Sequence, residues 1–382
     1  MKPPLGWLQL WKRKARFGVA LCGVSFAVVL ILMQLGFRES MFESATRYHA
    51  RLLYDIALFS PESQYILSPD AFSIRRLYQV LGLDEVESVS PVYIQLADWK
   101  NPYNHRGRRI FVIGFELPDP VFDNPGILAN LDKISLRDTV LFDEKSRPEY
   151  GPIAADFRAG REIESEVNDR AIKIGGLFAM GTSFGIDGSL VTSDDNFLRL
   201  FPHRARGVIN LGLIQLRAGA DLAAVRDRID EMLPSDVLVL TKDQFVAREQ
   251  AYWGAATPIG YVFAFGAVVG FIVGAIIVYQ ILFADVSDHL AEYATLKAMG
   301  HSNRYLSGVV IQQALILALL GYIPGFAVCL WLYETAAEAT RLPIAMTPER
   351  ALIVLGGTVV MCCLAGLSAL RVVRKADPAE IF

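Results

Sequence analysis

The stretch DVSDHLAEYATLKAMGHSNR, residues 285–304, is a short polar interruption between two long apolar runs, and its reading decides how the rest of the chain is laid out. Val286, Leu290, Tyr293, Leu296 and Lys297 recur in it at three- and four-residue steps. That spacing gives a helix an apolar strip on one face and turns Asp288, Glu292 and Thr295 towards another. Gly300 suits the left-handed conformation that closes a helix, and Ser302 can cap the next one. Two readings follow for a short amphipathic helix between two membrane spans. It is either a docking helix that meets a partner protein or a connecting turn lying on lipid headgroups.

Working outward, the flanking runs at 259–283 and 305–333 are each long enough to cross the hydrocarbon, as are 17–35 and 351–370. Lys12, Arg13, Lys14 and Arg16 precede the first run, a pattern that a secretory signal also shows. A retained anchor is favoured, because the run exceeds a signal core and no A-x-A-like cleavage site follows. The basic flank places the N-terminus in the cytosol, and Arg371, Arg374 and Lys375 after the last run agree with that orientation. The expected division is a cytosolic N-terminus 1–16, span 17–35, an extracytoplasmic domain 36–257 and span 258–283. The cytosolic segment 284–304, span 305–333, outer loop 334–350, span 351–370 and cytosolic tail 371–382 complete it. The expected location is the cell inner membrane, with the large domain periplasmic.

The composition fits such a protein. Hydrophobic residues make up 53% of the chain, and a net charge of -3 gives no electrostatic footing for a nucleic-acid partner. Cys22, Cys329, Cys362 and Cys363 all fall in apolar runs, so the soluble part holds no thiol for a disulfide or metal. Between the first two spans the pattern predicts helices at 40–56, 69–81, 222–233 and 241–253. It predicts strands at 86–96, 109–115, 162–167, 171–178, 189–192, 208–217 and 237–240, with an irregular stretch at 117–152. Helices and strands in runs without strict alternation predict an α+β domain of one or two lobes, joined to the membrane by helical stalks at 40–56 and 241–253.

Gly266, Gly270 and Gly274 form a small-xxx-small face in the second span, suited to packing within the chain or to a dimer seam. Gly321 and Gly325 flank Pro324 and predict a kink in the third. Gln280, Gln312 and Gln313 read as inter-helix hydrogen-bonding groups, since no charge falls in the middle of any span to mark an ion path. Catalytic signals are weak. GTSFG at 181–185 matches the pattern that would make Ser183 a nucleophile, but Asp187 and Gly188 follow, so a glycine-rich hairpin is expected. His49, His105 and His203 lack metal-ligand spacing and read as surface residues, and Asp194 and Asp195 as helix caps. No phosphate-binding GxxxxGK[ST] loop occurs, so ATP-driven work needs another polypeptide.

EYATLKAMG at 292–300 resembles the cytosolic coupling helix of FtsX-like, MacB-type permeases, and RKADPAEIF at 374–382 resembles their basic-x-x-Pro-x-Glu terminus. PLGWLQLWKRKARFGVALCGVSF near the start and LMQLGFRESMFESA after the first span resemble the DevC branch of ABC exporter permeases. The resemblance implies four transmembrane helices with a large α+β extracytoplasmic domain between helices 1 and 2. It further implies a non-catalytic permease of a tripartite exporter, binding no cofactor itself and transmitting ATP-driven motion to export a lipid- or glycolipid-like amphipathic substrate. The partners implied are a DevA-like cytosolic ATPase, a DevB-like membrane-fusion protein, a TolC-like outer-membrane protein, a second copy of the chain and membrane lipid. ATPase docking falls on Glu292, Tyr293, Leu296, Lys297, Met299 and Gly300. An FtsX-like signalling subunit that activates an outer hydrolase, or an anchored hydrolase using Ser183, stand as alternatives.

Overall fold

The computed structural model describes residues 14–117, 119, 121–290, 292, 295, 299–300 and 302–375. Four of its helices, Lys14–Arg51, Pro258–Asp288, Ser307–Thr340 and Pro348–Arg371, are long and apolar enough to cross a membrane. An α+β domain lies in the chain between the first of these and the other three. The chain divides into two compact units: Met41–Thr257 with Thr340–Pro343 forms the sheet domain, and the apolar helices form the other.

In the helical unit, small residues set where helices meet. A Cβ on Gly321 would lie 2.6 Å from Cβ of Val24, and one on Gly325 would lie 2.8 Å from the carbonyl oxygen of Ser25. Ser25 Oγ donates to the Gly321 carbonyl at 2.8 Å, a polar bond that apolar surroundings make worth keeping. The helix that carries Pro324 runs on through the proline from Asn303 to Thr340. Its two flanking glycines are contact points with the first helix.

Among the described residues the sheet domain contains eleven strands: β1 (Ile56–Phe59), β2 (Phe72–Ser73), β3 (Val86–Lys100), β4 (Gly107–Phe115), β5 (Thr139–Asp143), β6 (Glu164–Val167), β7 (Arg170–Phe178), β8 (Ser189–Ser193), β9 (Val208–Ile209), β10 (Leu211–Leu216) and β11 (Leu238–Thr241). Nine form one sheet in the order β11-β1-β10-β3-β4-β8-β5-β7-β6, and β2 pairs with β9. The fifteen-residue β3 is shared between two neighbourhoods. Its first half pairs with β10, while Trp99 and Lys100 pair with Val167 and Glu166 of β6. The second pairing closes β3, β4, β8, β5, β7 and β6 into a ring. Trp99, Phe142, Tyr150, Val167 and Ile172 belong to the buried core cluster beneath it. Where β3 passes between β10 and β6, Asn210 and Asn168 side chains accept from the Ile94 and Asp98 amides at 2.9 Å each, satisfying backbone that no strand covers.

Three elements depart from the pattern reading. The first helix stops at Arg51, and 56–59 is a strand; the predicted helix at 69–81 is β2 followed by a helix at Arg75–Gln79 that runs on as a 3-10 turn at Val80–Gly82; and β5 emerges from the stretch read as irregular. Both β1 and β5 are buried at every position. A strand covered on both faces has no alternation to reveal it. The segment after β7 is no hairpin, because β7 and β8 flank β5 on opposite sides. Ser193, rather than Asp194 or Asp195, caps the helix Asp194–Leu200 through its hydroxyl, and the two aspartates occupy the first turn, where the dipole favours them. The second predicted stalk is a helix at Lys242–Ala251, begun by a Thr241/Gln244 capping box, followed by a π-helical turn at Tyr252–Ala256.

Asp138 sits at φ +55 just before β5 and is held by Arg199, whose Nε and Nη2 donate to its two oxygens at 3.0 and 3.1 Å. These bonds, with Arg170 and Arg137 nearby, hold the Asp138 carboxyl below the usual carboxylate range. A folded-state value below the unfolded one gives stability that is present above about pH 4 and lost as pH falls through the depressed value. The side chain is 24% exposed, so the contribution is on the order of 1 kcal/mol. Asp138→Asn should flatten the acid limb of the domain's unfolding curve, read by circular dichroism between pH 3 and 6.

Candidate functional site

The loop between the second and third apolar helices is fastened at its start. Asp285 and Val286, in the last turns of Pro258–Asp288, are buried, and Val286 clusters with Val309, Val310 and Leu370. Gln313 Nε2 donates to the Asp285 carboxylate at 2.7 Å, and His289 contacts the Asp285 carbonyl through Nδ1 at 2.8 Å. Asp288 pairs with Arg16 of the first helix. Beyond this anchor Glu292, Thr295, Met299 and Gly300 are exposed, Met299 at 65%. The Met299 amide donates to the Thr295 carbonyl at 3.0 Å, and Gly300 takes φ +94 with nothing near its missing Cβ, so the conformation rather than crowding selects glycine. Tyr293, Leu296 and Lys297 lie outside the described residues.

A second polar cluster joins other parts of the same helical unit. Arg350, whose side chain is only 6% exposed, donates through Nε to Glu39 at 3.1 Å, through Nη1 to Tyr333 Oη at 3.1 Å, and to the Ala345 carbonyl at 2.8 Å. The Tyr333 hydroxyl donates to the Leu32 carbonyl. Three long helices are thereby tied through one guanidinium, whose fork of donors suits this role. Sequence reasoning did not pair these residues. The available signal was opposite charge at two span ends expected on the same side of the membrane, Glu39 after the first and Arg350 before the fourth.

Gly266, Gly270 and Gly274 face the first helix of the same chain. Added Cβ atoms would meet the Gln34 side chain at 2.5 Å, Ile31 at 3.2 Å and Ala27 at 2.6 Å, and one on Gly274 would also meet Met361 Sδ at 2.7 Å. Gln313 takes up an inter-helix bond, whereas Gln280 is exposed.

The other candidates resolve into structural roles. Ser183 is buried, and its hydroxyl accepts from the Gly185 and Ile186 amides at 3.2 and 3.1 Å, forming a turn; no general base is hydrogen-bonded to it among the described residues. His49 is not a surface residue but fully buried, 3.0 Å from Tyr54 Oη and 3.9 Å from Glu249. Glu249 in turn accepts from the Ile66 amide and Trp253 Nε1, each at 3.0 Å. His105 and His203 are exposed. Among the described residues no group of three His, Cys, Asp or Glu is placed to hold a metal.

With this geometry in place, the family comparison bears on the helical unit. The model of the FtsX-like permease C-terminal family matches residues 264–378, a range that takes in the loop just described, most of the helix before it and the two helices after it. That part of the chain is similar to the C-terminal region of FtsX-like permeases. Among solved structures, the periplasmic region of MacB from Actinobacillus actinomycetemcomitans aligns with 50% of this chain and 91% of its own, at 12% identity and TM-score 0.35. The extracellular domain of the noncanonic ABC-type transporter YknZ from Gram-positive bacteria aligns with 49% and 99%, at 13% identity and TM-score 0.33. A permease-protein domain from Porphyromonas gingivalis aligns with 50% and 89%, at 14% identity and TM-score 0.31. No curated protein matches the chain.

Proposed function

We propose that the chain is the permease subunit of an ABC exporter, driven by a separate ATPase that docks on the 285–304 segment. The observation that carries this reading is the exposed Glu292, Thr295, Met299 and Gly300 between two apolar helices, inside the FtsX-like match. An exposed methionine suits a protein surface better than a headgroup layer, because methionine adapts to an apolar partner. The polar ties at Asp285 and Arg350 suit transmission: a push on the loop moves helices as a set instead of being lost in side-chain rearrangement. The N- and C-termini are cytosolic, the membrane is the inner membrane, and the sheet domain works on the far side, in keeping with the basic residues Lys14, Arg16 and Arg371. In the DevC-type arrangement two copies pair, a DevB-like fusion protein engages the sheet domain, a TolC-like duct carries the cargo outward, and that cargo is an amphipathic lipid or glycolipid.

Tagged protein purified in mild detergent should bring down a cytosolic ATPase. Glu292→Arg should reduce its recovery at least tenfold and abolish export, with the variant still inserted in the membrane. Recovery of the ATPase undiminished in Glu292→Arg and Met299→Asp together would remove the docking role. Capture of the ATPase with an outer hydrolase in place of a fusion protein would make the chain a signalling subunit.

A further inference from the structure

The sheet domain holds a cleft of about 590 Å³ lined by Arg47, Arg51, Lys145, Arg341, Met180 and Leu342, with Glu43 as the one acidic side chain in its wall. The volume lies in the range, roughly 300–1,000 Å³, of small-ligand sites. Among the described residues none of the four cations has a carboxylate partner at ion-pair distance. Elsewhere in the domain Asp138, Asp187, Glu144 and Asp156 each hold an arginine. Two of the four are built in place. Arg47, half-buried, donates through Nη1 to the Met180 carbonyl at 3.0 Å and lies across Gly181, whose φ of +99 and missing side chain leave room for it. Arg341 sits at φ +59, a region an arginine rarely adopts, with its carbonyl pinned by Thr182 Oγ1 at 2.9 Å and Leu342 buried beside it. Arg51 and Lys145 stand exposed at the rim. The buried Asp143 carboxylate behind the loop spends its oxygens on the Lys145, Met180 and Gly181 amides and the Ser189 hydroxyl, and does not line the cleft.

We propose that this cleft binds a phosphate-bearing anion, with the arginines taking the phosphate oxygens and Met180, Leu342 and Pro343 taking the apolar part of the ligand. Arginine forks match phosphate geometry, and like charges gathered without carboxylate partners lose their mutual repulsion when an anion enters. The phosphate can come from a lipid headgroup or from a free anion. The proposal rests on the cleft alone and holds whether or not an ATPase docks elsewhere.

The test uses the full chain in uncharged detergent, titrated calorimetrically with dioctanoyl phosphatidylglycerol, with uncharged dioctanoylglycerol and with inorganic phosphate. The phospholipid should bind, dioctanoylglycerol should not, and added salt should weaken binding. The rim variant carrying Arg51→Glu and Lys145→Glu should weaken it at least tenfold. Arg341→Gly should weaken it about fivefold while leaving thermal unfolding unchanged or raised, because glycine accepts the positive φ that arginine resists. Inorganic phosphate binding as tightly as the lipid, with the same response to the variants, supports the site with a free anion as its ligand. Binding of neither phosphate probe, or equal binding by wild type and the rim variant, overturns the proposal.

Discussion

Asp143→Ala should be the most damaging single substitution in the sheet domain, lowering its stability by more than about 4 kcal/mol. The wild-type carboxylate accepts from three backbone amides and one hydroxyl at 2.7 to 3.2 Å while fully buried. Alanine leaves those donors facing one another across a small void, and each buried donor without an acceptor costs about 1–3 kcal/mol. A domain whose total stability is about 5–15 kcal/mol has little to spare. Asp143→Asn keeps one acceptor oxygen but turns an amide group towards donors, so a loss of about 2 kcal/mol is expected. Thermal unfolding followed by near-ultraviolet circular dichroism ranks the variants, and proteolysis within 179–188 reports the loop directly. Equal melting of wild type and Asp143→Ala would mean that the carboxylate is not the loop's anchor.

Arg350→Met should loosen the helical unit and, on the proposed function, sever motion from ATP turnover. The guanidinium is almost wholly buried, whereas Glu39 is half-exposed at 53%. The full penalty for breaking a buried pair, about 3–5 kcal/mol, therefore shrinks to about 2 kcal/mol. The functional effect is larger than the energetic one: with a partner ATPase present, hydrolysis should continue while export falls at least tenfold. Reversing the pair, Glu39→Arg with Arg350→Glu, should recover part of the loss. A double-mutant cycle separates the pair's own coupling from the bonds to Tyr333 and Ala345. Export unchanged in Arg350→Met would show that the tie carries no force.

How much of this was readable in advance depended on what each residue faces. The spans were legible because lipid demands unbroken apolar runs, β3, β7 and β10 because each extended segment has a pattern of apolar and polar or small residues to follow, and β4 because its apolar run is long. β1 and β5 were hidden because a strand buried on both sides, IALF or TVLFD, has no second face to give it a period. His49 was misjudged for a related reason. Its burial depends on Tyr54, Phe245 and Glu249, which reach it from other elements of the fold, and no local pattern carries that information. The glycine face was visible as spacing, but only the placement of Ala27, Ile31 and Gln34 says what covers it.

The β3–β6 pairing has a consequence for how the sheet domain meets other proteins. A strand edge is a row of unspent amides and carbonyls, open to any extended peptide that drifts past. Six strands here spend theirs on one another in a ring, and the side chains of Asn210 and Asn168 occupy amides where β3 crosses between neighbours. At the far end of the sheet stands β11, four residues long. A domain so sealed resists sticking to its own copies when crowded. Partners must recognise it by the shape and charge of its loops and clefts, with little opportunity to extend its sheet.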